Sequence, residues 1–412
     1  MRIKVTALGL AGALALVACG SPAEPQDGPG PVSLRMTIWT GNEAHLKLFN
    51  DIAAAYKKTH PNVSVKYDTL PVETYTTTLT TQIAGGNAPD LAWIFESSAP
   101  AFVSSGALAP LGNLVKPEEF APSTTKLWQK DGTLHAYPFS TSPFGVFVNA
   151  DLLKQAGQSV PAKGWTWEEA VKIASAVQEK TGKAGMVVRD FDYKGWDNLA
   201  SVWGGWGAEA WSEDGKTCGF NKPEMIEAMR FLHKAIFTDK AMPAPGTTAD
   251  FFAGEAGMTI TQISRASLLK DDAFGWDLVT LPTGPKGEYS VIGQAGIGVI
   301  KKSKNAQAAA DFLSFFTNPD NSAKLAQFFP PPRQPLLTAD SLAKSNPLLK
   351  PEQLQEVVVD GITAGRVKPS HAGQAELSQA VRAGLDQLWQ PNADVATVMN
   401  GVCTAIQPML AK

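Results

Sequence analysis

Between residues 34 and 94 the chain alternates strand, helix, strand, helix, strand, and that order admits few folds. Leu34-Arg35-Met36-Thr37-Ile38-Trp39 alternates apolar and polar residues, the period of a half-buried strand, and Thr40-Gly41-Asn42 breaks it. Residues 43–59 place Leu46, Phe49, Ile52, Ala53 and Tyr56 on one helical stripe. Val63-Ser64-Val65-Lys66-Tyr67 predicts a second strand, residues 75–84 a second helix closed by Gly85-Gly86, and Asp90-Leu91-Ala92-Trp93-Ile94 a third strand. Strands joined through helices run parallel with right-handed crossovers, so the segment predicts an α/β domain.

The same grammar returns further on. Residues 165–240 are mainly helical, with a helix opening at Trp167-Glu168-Glu169 and running to about Thr181. Strands are expected at 257–263, 276–281 and 296–300, an amphipathic helix at 305–317, and a helical tail over 375–409 interrupted at Pro391. A chain of 412 residues exceeds what one hydrophobic core organises, so two domains are expected.

The N-terminus reads as an address. Arg2 and Lys4 precede an uncharged run over residues 5–18, which as a helix would be roughly 21 Å long at about 1.5 Å per residue. That is short for a bilayer core of about 30 Å and fits a cleavable signal segment. Leu16-Val17-Ala18-Cys19, followed by Gly20 and Ser21, resembles the lipobox of bacterial lipoproteins, which implies acylation of Cys19 after removal of residues 1–18. Residues 19–33 carry Pro22, Pro25, Pro29 and Pro31 without apolar periodicity and are expected to be a disordered tether. The expected location is therefore the extracytoplasmic face of the cell membrane, with membrane contact only through the N-terminal lipid.

Outside that leader the cysteines are Cys218 and Cys403, and in an oxidising compartment such a pair is expected to form a disulfide. Neither sits in a C-x-x-C spacing and the five histidines are scattered, so no metal site and no cofactor is expected. The formal charge is −3 and no basic stripe is present, which argues against nucleic acid as a partner.

A series of markers then carries a resemblance. Trp39-Thr40-Gly41, the stretch 49–56 and Pro61-Asn62-Val63 open it, and Gly85-Gly86-Asn87-Ala88-Pro89-Asp90 follows. Next come Tyr137-Pro138 running to Asn149, Phe251-Phe252-Ala253-Gly254-Glu255-Ala256-Gly257-Met258, then Gly293 to Val299 and Pro331-Pro332-Arg333. In this order they are similar to the family 1 extracellular solute-binding proteins, the maltose-binding-protein-like group. The resemblance implies a two-lobed type II periplasmic-binding-protein (Venus flytrap) α/β fold with three crossings between lobes, near 143–148, 293–299 and 330–336. Lobe one would combine 34–145 with 297–330, and lobe two 146–296 with 336–412, which puts Cys218 and Cys403 in the same lobe. It further implies a monomer that closes on a carbohydrate and delivers it to the permease subunits of an ABC importer, without catalysis.

A sugar site needs aromatic faces for C–H surfaces and directional polar groups for hydroxyls, at strand C-termini where open α/β sheets bind ligands. Asn42 and Glu43 follow the first strand, and Glu96, Ser97 and Ser98 the third. Ser142 and Phe144 lie on the crossing strand. Trp196 and Trp203 are candidate stacking rings, with Asp197 beside the first, Gly204-Gly205 allowing close backbone approach, and Trp211 beyond. Gln262, Gly293, Gln294 and Arg333 complete the candidate set. Where the family often has a Trp after the Ala-Met strand, this chain has Ser264 and Arg265, which argues against assuming a maltodextrin. Amino sugars, glycerophosphodiesters and polyamines are alternative ligands, and a glycoside hydrolase using Glu43 and Glu96 is the remote enzymatic alternative.

Overall fold

The structure is a computed structural model that describes residues 30–114, 117–189, 195–245, 249–269 and 274–410. The expected signal segment, Cys19 and the tether as far as residue 29 lie outside the described residues. Strand β1 (Val32–Ile38) runs parallel to β2 (Val63–Thr69) on one side and β3 (Leu91–Phe95) on the other. Helices α1 (Glu43–Thr59) and α2 (Tyr75–Ala84) make the crossovers. β1 starts two residues earlier than the periodicity indicates, because Val32 and Ser33 pair with Val63 and Ser64. The last two residues of the expected tether are thus ladder residues. Asn42 caps α1 by accepting from the Ala44 and His45 amides, and Glu43 at its start with Lys57 and Lys58 at its end match the helix dipole.

After a small hairpin of β4 (Gln129–Lys130) and β5 (Thr133–Leu134), turned on Asp131 and Gly132 at positive φ, comes the strand that organises the molecule. β6 (Tyr137–Asn149) is buried along its whole length. Its first half pairs antiparallel with β10 (Val291–Val299), as far as Pro143 opposite Ile292. From Phe144 onward it pairs with β8 (Ala256–Gln262) and, on the other edge, with β9 (Trp276–Val279). The partner changes at a proline, which has no N–H to donate to a ladder. β7 (Ala184–Val188) adds parallel to β8, while β10 runs antiparallel to β3 over Ala295–Val299 and parallel to β11 (Arg366–Val367) at Val291 and Ile292. The order β2-β1-β3-β10-β6-β8-β7 is therefore one mixed sheet, parallel in its outer thirds and antiparallel where β10 and β6 cross. A third crossing follows at Pro330-Pro331-Pro332, whose first and last carbonyls accept from Thr141 (3.2 Å) and Ala121 (3.1 Å).

Two large cores flank these crossings. One gathers residues from Leu34 to Phe139 and from Ala295 to Phe329, around the rings of Phe49, Trp93, Phe139 and Phe329. The other runs from Phe144 through the helices Trp167–Thr181 and Pro223–Phe237 to the tail helices Gln374–Leu385 and Val395–Leu410. A smaller cluster containing Phe147, Phe251, Leu278 and Val357 lies beside them. The helix Trp167–Thr181 matches its sequence signature because Thr166 and Glu169 form a capping box and Gly182, at positive φ, ends it. The tail breaks at Pro391 as expected, the two helices being separated by residues 386–394.

Cys218 and Cys403 are bonded, with Cα atoms 5.5 Å apart and a sequence separation of 185. The bond ties the last helix to the loop after Trp211, and the Gln407 side chain accepts from the Cys218 amide at 2.9 Å alongside it. Closing so long a loop restricts the unfolded chain, so reduction should lower stability by about 2–5 kcal/mol. Denaturant unfolding with and without a thiol reductant measures this, and a Cys218→Ser/Cys403→Ser variant should match the reduced protein and lose its response to reductant.

Candidate functional site

The C-terminal ends of β1 and β3 form an aromatic ledge. Trp39 and Phe95 are both half-buried and stack with centroids 3.9 Å apart and planes 16° apart. Tyr75 and Trp93 brace Trp39 edge-on at 5.1 and 4.7 Å. The Tyr75 hydroxyl lies 2.9 Å from the Thr37 and Trp93 carbonyls, which ties the helix after β2 to both strand ends.

Glu96 follows Phe95 directly, in the short turn Glu96–Ser98. Its carboxylate accepts from Lys368 Nζ at 3.0 Å. The same ammonium donates to Asp197 Oδ2 at 2.8 Å and to Asn198 Oδ1 at 3.1 Å, so each of its three protons has an oxygen. Asn198 in turn donates to the Arg189 carbonyl at 3.1 Å, and the Phe144 ring lies 6.0 Å from Lys368 Nζ. The side chains of Lys368, Glu96 and Asp197 are only 11, 8 and 16 % exposed. Burial alone would push the Lys368 ammonium down, but the Asp197 and Glu96 carboxylates outweigh it and hold its pKa above the ordinary lysine value. Glu96 follows β3, whereas Asp197 lies in the short helical turn Trp196–Leu199 whose Trp196 and Leu199 belong to the core beyond Phe144, so the cluster bridges the two sides.

Among the expected residues, the fold thus gathers Glu96, Asp197 and Phe144 around a lysine that no motif marks. Others are spent on the scaffold. Asn42 is the α1 cap, and Glu43 lies exposed in the first helical turn, away from burial. Ser97 is half-buried beside Glu96, and the Ser142 hydroxyl accepts from the Ser264 amide at 3.1 Å. Gly293 is a clearance position, since a Cβ there would lie 1.6 Å from Gln262 Nε2. Gln294 is buried, accepting from Trp128 Nε1 at 3.3 Å. Arg333 donates to the Tyr137 hydroxyl at 3.1 Å, pairs with Glu119 and lies 5.5 Å over the Phe120 ring, so its guanidinium braces the third crossing.

The tryptophan expectation is corrected. Trp196 and Trp203 are 3 and 1 % exposed and pack with Phe220 and each other, so neither offers a face to a ligand. Trp211 is half-buried against His371. Close approach at Gly204-Gly205 is real, but Tyr289 and the Gly284 backbone make it, a Cβ on Gly284 falling 2.1 Å from the Gly205 carbonyl oxygen. The half-exposed Trp39–Phe95 ledge was missed because its residues read as strand; the signal was a Trp at a strand end.

Near the ledge, His45 packs against Phe328 and Phe329 at 4.5 and 4.9 Å, with Nδ1 2.9 Å from Thr40 Oγ1. Burial lowers its pKa to about 4. Below the unfolded histidine value of about 6.5 the unfolded chain takes the proton first, so stability present above that pH is lost as pH falls toward 4. Melting temperature should therefore drop between pH 7 and pH 5, and drop less in His45→Gln.

Residues 51–351, well over half of the chain, match the family described as bacterial extracellular solute-binding protein. The chain belongs to that family. The arabinooligosaccharide-binding protein of Halalkalibacterium halodurans is 25% identical over 300 residues, covering 68% of this chain and 66% of that one. The sn-glycerol-3-phosphate-binding periplasmic protein of Pectobacterium atrosepticum is 25% identical over 325 residues, covering 70% and 71%. Among solved structures, the cyclic alpha-maltosyl-1,6-maltose binding protein from Arthrobacter globiformis superposes with a TM-score of 0.79 at 20% identity, over 93% of this chain and 100% of that one. The fold is that of the two-lobed periplasmic binding proteins, as the markers imply. Among the described residues no helix is long and apolar enough to cross a membrane.

Proposed function

We propose that this solute-binding protein captures a carbohydrate between its two lobes and delivers it to the permease subunits of an ABC importer, acting as a binding protein and not an enzyme. The observation that carries the reading is the half-exposed Trp39–Phe95 stack running directly into the buried Glu96–Lys368–Asp197–Asn198 cluster. An aromatic ledge suits the C–H face of a pyranose, and carboxylate and amide oxygens beside it suit its hydroxyls. Lobe one would comprise 34–145 with 297–330 and lobe two 146–296 with 336–412, the ligand lying between them. Hinge closure is the motion such a fold uses. The protein works as a monomer tethered through acylated Cys19 to the extracytoplasmic face of the membrane. The relatives that bind arabino- and malto-oligosaccharides support this reading.

The glycerol-phosphate-binding relative favours a second reading, in which the solute is a glycerophosphate. Against it, Lys368, the buried cation of the cluster, already has two carboxylates. The test is thermal unfolding of the purified full chain with maltose, cyclic maltosyl-maltose, arabino-oligosaccharides and sn-glycerol-3-phosphate. At 100 times its dissociation constant a ligand specific for the folded state adds about 2.7 kcal/mol. A selective rise with one sugar supports the proposal; a rise with glycerol phosphate alone replaces it with the second reading.

A further inference from the structure

We infer that Lys368 is a built-in counter-ion that makes the cleft select uncharged ligands over cationic ones, and that without it the same cleft becomes a cation site. The inference rests on the reading of this cleft as the solute site and specifies the charge class that the site accepts. Glu96 and Asp197 both place an oxygen within 3.0 Å of a single Lys368 nitrogen. Two carboxylates so close, beside an aromatic ledge, are what would hold the ammonium of an amino sugar or a polyamine. Here the chain supplies that ammonium itself. It is held at the point between the carboxylates by Asn198 as a third acceptor and by the backbone, the Lys368 amide donating to the Ile292 carbonyl at 3.3 Å beside the Arg366–Val367 strand.

A second ammonium entering the cluster would lie against the first, in surroundings where side chains are at most 16 % exposed and like charges are poorly screened. A hydroxyl meets no such repulsion. Each carboxylate has more lone pairs than the ammonium takes, and with two carboxylates to one lysine these oxygens remain strong acceptors. Lys368 thus rejects cations while leaving the acceptors that a neutral sugar needs, which is selection by an unfavourable contact with the wrong ligand as well as a favourable one with the right ligand.

The test is isothermal titration of the full chain, in mild detergent, with spermidine, glucosamine and glucose, on wild type, Lys368→Arg, Lys368→Met and Lys368→Met/Glu96→Gln. Wild type and Lys368→Arg should bind spermidine and glucosamine at least tenfold more weakly than Lys368→Met does. The gain should vanish in the double variant. Wild type binding either amine as tightly as Lys368→Met overturns the inference, as does a folded Lys368→Met with no gain. Should Lys368→Met not fold alone, the inference expects spermidine to restore its fold, and an unfolded chain with or without spermidine, for both Lys368→Met and Lys368→Gln, overturns it. Absence of any response to neutral sugars in wild type would defeat the carbohydrate reading while leaving the spermidine comparison intact.

Discussion

Trp203→Ala and Trp39→Ala should fail in opposite ways. Trp203 is 1 % exposed and packs against Trp196 and Phe220 in the core that also holds the disulfide, so truncation leaves a cavity that the fixed helices around it cannot close. The expected loss is about 3–5 kcal/mol of stability, with little change in ligand affinity for the fraction that stays folded. Trp39 is only half-buried, and its inner edges rest on Tyr75 and Trp93 while one face covers Phe95. Its truncation should cost less stability but weaken carbohydrate binding about tenfold or more, since losing one aromatic face removes on the order of 1.4 kcal/mol or more. Denaturant unfolding and calorimetric titration on both variants separate the two. Unchanged sugar binding in Trp39→Ala, together with lost binding in a stable Trp203→Ala, would move the platform from the ledge to the second core.

The contrast between those tryptophans marks what a sequence can carry. Residues 43–59 and 75–84 are readable as helices because an apolar stripe and a closing glycine pair are local signals. The capping box at Thr166 and Glu169 is local too. Trp196 and Trp203 read as candidate stacking rings, yet whether a ring faces core or cleft depends on Phe220, which folds onto both from later in the chain. Arg333 was visible as a cation near a crossing, but its partners Glu119 and Tyr137 lie some two hundred residues upstream. Lys368 is the clearest case. It sits in Arg366-Val367-Lys368-Pro369, with no motif and no period, and only the two-residue pairing of β11 with β10 brings it beside Glu96. Both carboxylates were legible as site candidates; the lysine that decides their chemistry was not.

Lys368→Met should be markedly less stable than wild type. Removing the ammonium leaves Glu96 and Asp197 as two carboxylates that both faced one nitrogen, at 3.0 and 2.8 Å, with side chains 8 and 16 % exposed. Deleting one partner of a largely buried ion cluster costs about 3–5 kcal/mol, because the remaining charges keep their desolvation penalty and lose their compensation. Denaturant unfolding of wild type and Lys368→Met at the same pH measures that loss. Equal stability would mean that Glu96 and Asp197 do not depend on Lys368 for compensation, and the lysine would then be a packing residue rather than the centre of the cluster.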